Sequence, residues 1–162
     1  VERQKKERLS TGDPQPLTLV FCNTVASCRA AEHALAESGI PSLCYHGDLQ
    51  SMDREENLEE YRRVGEGEID GSSVLVCTDI ASRGLDVPQV DQVVMFDFPL
   101  NSIDYLHRAG RAGRAGRTGF VTSLYREKDM PILEAMKESH DNLEPLRIGR
   151  SAYSVRNKEN LD

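Results

Sequence analysis

The chain has 162 residues, which is enough for one domain with a hydrophobic core. Its hydrophobic content of 38% and charged content of 29% are typical of a soluble globular protein, and no apolar run is long enough to cross a bilayer. The net charge of −7 argues against a protein that coats nucleic acid by bulk charge, so any nucleic-acid contact must be local.

Apolar strand-like runs alternate with amphipathic helical stretches along the chain. We predict helices over residues 24–38, 52–63, from 101 onward and 129–139, a helical turn at 80–82, and strands over residues 17–22, 42–45, 74–77, 93–96 and 120–125. This alternation predicts an α/β fold with an open, doubly wound, mostly parallel sheet of five or more strands. Residues 17–140 would form the domain, with polar flanks at 1–16 and 141–162.

Polar residues follow the predicted strands at the points where those strands end. They are Asn23-Thr24, His46-Gly47-Asp48, Thr78-Asp79 and Asp97. Ligands of open parallel sheets bind at this edge, so we expect the functional site there. Thr24, Thr78 and Asp79 are also good helix caps, and both roles can hold at once.

The four cysteines, Cys22, Cys28, Cys44 and Cys77, lie far apart without a Cys-x-x-Cys pair. This spacing predicts neither a metal site nor a disulfide framework. His46 is expected to be a loop residue rather than a metal ligand, because no second ligand falls at a suitable spacing. We expect an intracellular, reducing compartment, with nucleus, cytoplasm and organelle all open.

The segment 107–114 places Arg108, Arg111 and Arg114 at three-residue intervals, separated only by alanine and glycine. Guanidinium groups fit phosphate oxygens, and Gly110 and Gly113 leave room for a large anion to approach. The pattern therefore predicts a phosphate site. The alternative is a flexible Arg/Gly tract that binds RNA without specificity, which the predicted helix and strand on either side disfavour.

Four segments in this order resemble the C-terminal RecA-like domain of DEAD-box RNA helicases: residues 20–24, His46-Gly47-Asp48 with Arg54, residues 78–86 and residues 107–114. The resemblance covers residues 17–126. It implies a three-layer RecA-like domain that forms half of an ATP-dependent RNA helicase.

The resemblance also implies roles for single residues. Arg111 and Arg114 would be arginine fingers that stabilise charge on the transferring phosphoryl group of ATP, with His107 coupling the two domains. Gly84 and Asp86 would lie near the nucleotide ribose, and Arg108 would hold the local fold. RNA contacts, made to backbone phosphates rather than bases, would involve Thr24, Gly47, Arg54, Thr78 and Asp79.

Two features depart from the pattern of a complete enzyme. Ser51 stands where the family usually has glutamine, which puts that RNA contact in doubt. No phosphate-binding loop and no Asp-Glu-Ala-Asp sequence occur, so the resemblance implies that a separate N-terminal RecA-like domain holds Mg²⁺ and most of the ATP. We expect a monomeric piece of a longer protein, inactive alone and without a membrane partner. Residues 121–125 are similar to organellar members of the family.

The alternative function is a non-catalytic RecA-like module that docks a protein or binds RNA. Its docking surface would be the last predicted helix, through Ile132, Leu133 and Met136, although packing of that helix on the sheet is the simpler interpretation.

Overall fold

The computed structural model describes residues 15–81, 87–113 and 118–134, and the backbone of residues 152–157. Within these ranges, no helix is both long enough and apolar enough to span a membrane.

A six-stranded parallel sheet forms the centre of the molecule. Its strands are β1 (Thr18–Phe21), β2 (Leu43–Tyr45), β3 (Val74–Cys77), β4 (Gln92–Met95), β5 (Phe120–Tyr125) and β6 (Ala152–Asn157). They lie in the order β2-β3-β1-β4-β5-β6, and every pairing is parallel. In the register, Leu19 of β1 lies between Leu75 of β3 and Val93 of β4. The predicted open parallel sheet is confirmed.

The helices fall close to their predicted positions: α1 is Val25–Glu37, α2 is Ser51–Gly65 and α3 is Ser102–Ala109. Short 3₁₀ turns cover Asp79–Ala81 and Glu127–Asp129, and residues 130–134 are helical. The remainder of the last predicted helix, residues 135–139, lies outside the described residues.

The two faces of the sheet are covered by different helices. Alternation along β1 sends Leu19 and Phe21 into the larger core, which also contains Leu58 and Tyr61 of α2 together with residues of α3. The intervening Val20 packs in a smaller core with side chains of α1. The result is the three-layer architecture that the resemblance implied.

The strand β6 lies inside residues 141–162, where a polar flank was predicted. It pairs with β5 from Phe120↔Ala152 to Tyr125↔Asn157, so these six residues belong to the sheet. No continuous apolar run marks them, because an edge strand need not be buried like a central one. The alternation of Tyr153 and Val155 with polar residues is the signal that could have indicated this strand. The remaining domain boundaries stay a prediction.

Two connections leave the centre of the sheet in opposite directions. From β1 the chain passes through α1 to β2, at one edge of the sheet. From β4 it passes through α3 to β5, towards the opposite edge. In open parallel sheets, ligands bind at the carboxyl ends of two such adjacent strands, here β1 and β4. This is the edge where the sequence predicts ligands.

Candidate functional site

A buried arginine holds the carboxyl ends of β1, β3 and β4 together. Arg108, in the last turn of α3, is only 1% exposed. Its Nε and Nη2 donate to the two carboxylate oxygens of Asp79 at 2.7 and 2.6 Å. Nη2 also donates to Asn23 Oδ1 at 2.7 Å, and Nη1 donates to the Asp97 carbonyl at 3.0 Å. The guanidinium carbon lies 5.4 Å from the centre of the Phe21 ring. The predicted structural role of Arg108 is therefore confirmed.

The carboxylates along this edge already have partners. Asp97 Oδ2 accepts from the Asn23 backbone N–H at 3.0 Å, and Asp48 accepts from Arg29 on α1 at 3.1 Å. Asp79 is held by Arg108. Each of these three carboxylates therefore has at least one partner within the fold.

The arginine segment after α3 is fixed through its backbone. Val90 N–H donates to the Arg111 carbonyl at 2.9 Å, and Gly113 N–H donates back to the Val90 carbonyl at 2.8 Å. Gly113 has a φ of 103°, which favours glycine. A Cβ at Gly119 would lie 2.2 Å from the Gly113 nitrogen, so the two segments touch closely. For residues 111–113 these bonds argue against a flexible tract.

The side chain of Arg111 lies beside the segment that precedes β4. Its Nη1 makes a long hydrogen bond of 3.5 Å to the Val87 carbonyl, and Val87 directly follows Asp86 in the chain. The arginine is half-buried at this place. His107 lies exposed in the last turn of α3. Gly84, Asp86 and Arg114 lie outside the described residues, so their predicted roles stay predictions.

The predicted RNA contacts lie along the three adjacent strands β2, β3 and β1. Thr24 caps α1, because its Oγ1 accepts from the Ser27 N–H at 3.1 Å, and the residue is exposed. Thr78 begins the turn after β3, and its N–H donates to the Tyr45 carbonyl at 3.3 Å. Thr24 is therefore the N-cap of α1, as one of its two predicted roles required. Because the residue is also exposed, its contact with RNA stays a prediction.

Gly47 and Arg54 belong to the loop between β2 and α2 and to the first turns of that helix. Gly47 is exposed, does not have a positive φ, and would accept a Cβ with no atom within 4 Å. Nothing in the fold therefore demands glycine there. Arg54 Nη1 donates to the Leu49 carbonyl at 2.7 Å, which fixes the loop from the helix.

The helical residues that could have formed a docking surface pack inward. Ile132 and Leu133 contact the larger core, whereas Met136 lies outside the described residues. For these two residues the structure favours packing on the sheet over docking of a partner.

The contacts of Asn23 and Asp97 are the part of the site that sequence patterns did not reveal. Both residues are polar strand ends in the sequence, but Asn23 bonds Asp97 and Arg108, which lie 74 and 85 positions away in the chain. The signal that could have found them is topological, since the carboxyl ends of β1 and β4 meet only once the strand order is known.

The chain is thus an α/β domain with an open parallel sheet and an arginine segment fixed beside the start of β4, which makes that segment a candidate phosphate site. Residues 4–116 match the family model described as the helicase conserved C-terminal domain, and the chain belongs to this family. The chain is 48% identical over 128 residues to DEAD-box ATP-dependent RNA helicase 39 of Arabidopsis thaliana, covering 79% of this chain and 20% of that protein. The predicted resemblance to the C-terminal domain of DEAD-box helicases is confirmed.

Two solved structures are similar over nearly the whole chain. Escherichia coli DEAD-box protein SrmB, bound to regulator of ribonuclease activity A, gives a TM-score of 0.66 and 28% identity, over 99% of this chain and 86% of that chain. Saccharomyces cerevisiae Dbp5, bound to RNA and ADP BeF3, gives a TM-score of 0.67 and 25% identity, over 98% of this chain and 38% of that one. The chain spans about a fifth of the length of three curated relatives that it matches.

Proposed function

We propose that this chain is the C-terminal half of an ATP-dependent RNA helicase, and that it completes an ATP site held mainly by an N-terminal RecA-like domain. ATP and a single RNA strand would bridge the two domains and draw them together. Closure would bend the RNA locally and open short duplexes.

The observation that carries this proposal is the fixed position of Arg111. Its backbone is hydrogen-bonded to Val90 and its side chain reaches the Val87 carbonyl, in the segment that leads into β4. An arginine held there can meet a phosphate presented from a facing domain without a large conformational cost. Arg114, three residues on, would supply the second guanidinium, and His107 would relay closure to the partner domain.

The chain offers groups for the phosphate oxygens and the ribose of a nucleotide, and we assign none of its residues to Mg²⁺. Arg111 offers a cation for phosphate oxygens, and the segment that ends at Val87 carries the proposed ribose contacts, Gly84 and Asp86. The carboxylates of Asp48, Asp79 and Asp97 each have a partner within the fold. When bound, ATP with Mg²⁺ supplies the phosphoryl group for hydrolysis, and we assign the Mg²⁺ ligands to the N-terminal domain.

RNA would lie along the carboxyl ends of β1, β2 and β3. The exposed Thr24 hydroxyl, the open Gly47 backbone and Thr78 suit phosphate contacts that read no base. Arg54 would reach a neighbouring phosphate while its bond to Leu49 steadies the loop. Asp79 would act through Arg108, by holding the strand ends in place. The relative Dbp5 was solved with RNA, which supports this proposal.

Binding of this kind should be salt-dependent, tolerant of sequence and selective for RNA through its 2′-hydroxyl. We further propose that the chain acts as a monomer and that it works inside the cell. Its four free thiols support the second of these points, because a reducing compartment keeps thiols free.

The test combines the 162-residue chain with the whole protein. The chain alone should hydrolyse no ATP and bind RNA weakly, whereas the whole protein should show RNA-stimulated hydrolysis. In the whole protein, Gly47→Ala should weaken RNA binding without changing the melting temperature, because the added methyl meets only solvent in the fold. Robust turnover by the isolated chain would refute the composite site. Unchanged RNA affinity in Gly47→Ala, or equal affinity for DNA, would refute the proposed RNA path.

A further inference from the structure

Three side chains with metal-binding atoms converge on the face of the sheet that α1 covers. Glu32 comes from α1, Cys44 from β2, and His46 directly follows β2. One carboxylate oxygen, the thiol sulfur and one imidazole nitrogen all lie within 4.8 Å of one another. In the sequence the first two ligands are 12 positions apart, which is why no metal-binding motif is visible.

His46 supplies a second, independent observation. The residue is only 4% exposed, and its Nδ1 is buried without a hydrogen-bond partner. A buried ring nitrogen left unsatisfied costs free energy, and polar groups in this position normally meet a donor, a water or a metal ion. The imidazole is therefore poised to take a ligand beside Glu32 and Cys44.

The chemistry of the three groups selects one kind of ion. A thiolate, an imidazole and a carboxylate together are typical ligands of Zn²⁺, and three protein ligands leave its fourth position to water. Ligand atoms around tetrahedral Zn²⁺ lie about 3.3 to 3.8 Å apart, so shifts of about 1 Å would close the site.

The backbone around the cluster is anchored on both sides. Asn57 Nδ2 donates to the Cys44 carbonyl at 2.9 Å, which ties β2 to α2. Arg29 pairs with Asp48 at 3.1 Å, which ties α1 to the loop after His46. The ligands thus stand on elements whose separation is already set, as a metal site requires.

We propose that Glu32, Cys44 and His46 form a Zn²⁺ site that joins α1 to the end of β2. On binding, a Zn–S bond forms at Cys44, the S–H bond breaks and its proton leaves to water. One carboxylate oxygen of Glu32 and one ring nitrogen of His46 donate lone pairs to the same ion. The site is separate from the arginine segment, so the inference stands whether or not the proposed helicase function holds.

The experiment titrates the metal-stripped 162-residue chain with Zn²⁺ by calorimetry, and with Co²⁺ as a spectroscopic probe of the thiolate. We expect one Zn²⁺ per chain and a sulfur-to-cobalt charge-transfer band. Cys44→Ser should abolish the band, and Glu32→Gln should weaken Zn²⁺ binding by at least about tenfold. Both positions are partly exposed, so these variants should fold even if a substitution of the buried His46 does not.

Matched controls come from the exposed face of α1. His33 and Glu37 form an exposed pair at 3.4 Å, and His33→Gln or Glu37→Gln should leave Zn²⁺ affinity unchanged. Absence of Zn²⁺ binding would overturn the proposal. So would binding that persists in both Cys44→Ser and Glu32→Gln, or binding lost in the His33 and Glu37 controls, since each would place the ion elsewhere.

Discussion

Replacing Arg108 by methionine should destabilise the domain more than any loss of an exposed ion pair. The side chain is 1% exposed and makes four hydrogen bonds, two of them to Asp79 at 2.7 and 2.6 Å. The substitution keeps an unbranched apolar stem but removes the charge and all donors. Asp79, Asn23 Oδ1 and the Asp97 carbonyl would then lose their partner.

The structure sets the size of the effect. Removing one member of a buried ion pair costs about 3–5 kcal/mol, because the other member is left uncompensated. The Asp79 side chain is 29% exposed, so water can solvate part of its charge and the lower end applies. We expect a loss of about 3 kcal/mol, or roughly 6–12 °C in melting temperature for a chain of this size.

Urea unfolding of the 162-residue chain, followed by circular dichroism, measures this loss. Arg63→Met is the matched control, because Arg63 pairs with Glu68 at 3.1 Å while both side chains are about half exposed. It should cost about 1 kcal/mol or less. In a double-mutant cycle, Arg108→Met and Asp79→Leu should couple by about 2 kcal/mol. A loss in Arg108→Met no larger than in Arg63→Met would refute the assignment of Arg108 as the link between strand ends.

Three further predictions concern other parts of the fold. Gln50 precedes α2 without a side-chain cap bond, so Gln50→Ser should raise the free energy of unfolding by about 0.5–1 kcal/mol in urea titrations. Burial raises the pKa of the Cys77 thiol above its ordinary value of 9.0, so the folded chain keeps a proton that the unfolded chain releases. The free energy of unfolding is therefore not reduced by this thiol below pH 9.0, and it falls as the pH rises above that value. Cys77→Ala should make that fall shallower by up to about 1.4 kcal/mol per pH unit. An unchanged slope of the free energy of unfolding against pH would contradict this prediction. Gly119→Ala would press a methyl against the Gly113 nitrogen and the Ala112 carbonyl carbon, and should cost about 1–3 kcal/mol in thermal unfolding, whereas a neutral result would show that the arginine segment can move aside.

Most of the sheet could be predicted because its strands are buried on both faces. Runs such as residues 74–77 are apolar throughout, and the helices between them begin at good caps such as Thr24 and Asn101. The strand β6 was missed because apolar and polar residues alternate in residues 152–157, so no continuous apolar run marks it. The sheet order was also beyond reach, since periodicity shows which residues form strands but not which strands are neighbours.

Some features of the candidate site could likewise be predicted from local sequence patterns, and others could not. The spacing of the arginines and the polar residues after each strand are local patterns. The structure brings Arg108 to the polar strand ends, whereas residues 111–113 pair with Val90 before β4, and the functional roles stay predictions. The partners of Arg108 and the approach of Glu32 to His46 depend on contacts between distant segments, which local patterns cannot show. His46 illustrates the difference, because sequence spacing gave it no second ligand while the fold places two beside it.

The most direct test of the helicase proposal is the rate of ATP hydrolysis by the whole protein carrying Arg111→Ala, measured with ATP and RNA at saturation. An arginine finger contributes roughly 10³–10⁵ to that rate, so we expect a loss of about three orders of magnitude, with folding retained and with Arg63→Ala as the unaffected control. A loss of less than about tenfold would contradict the placement of Arg111 at the phosphoryl group.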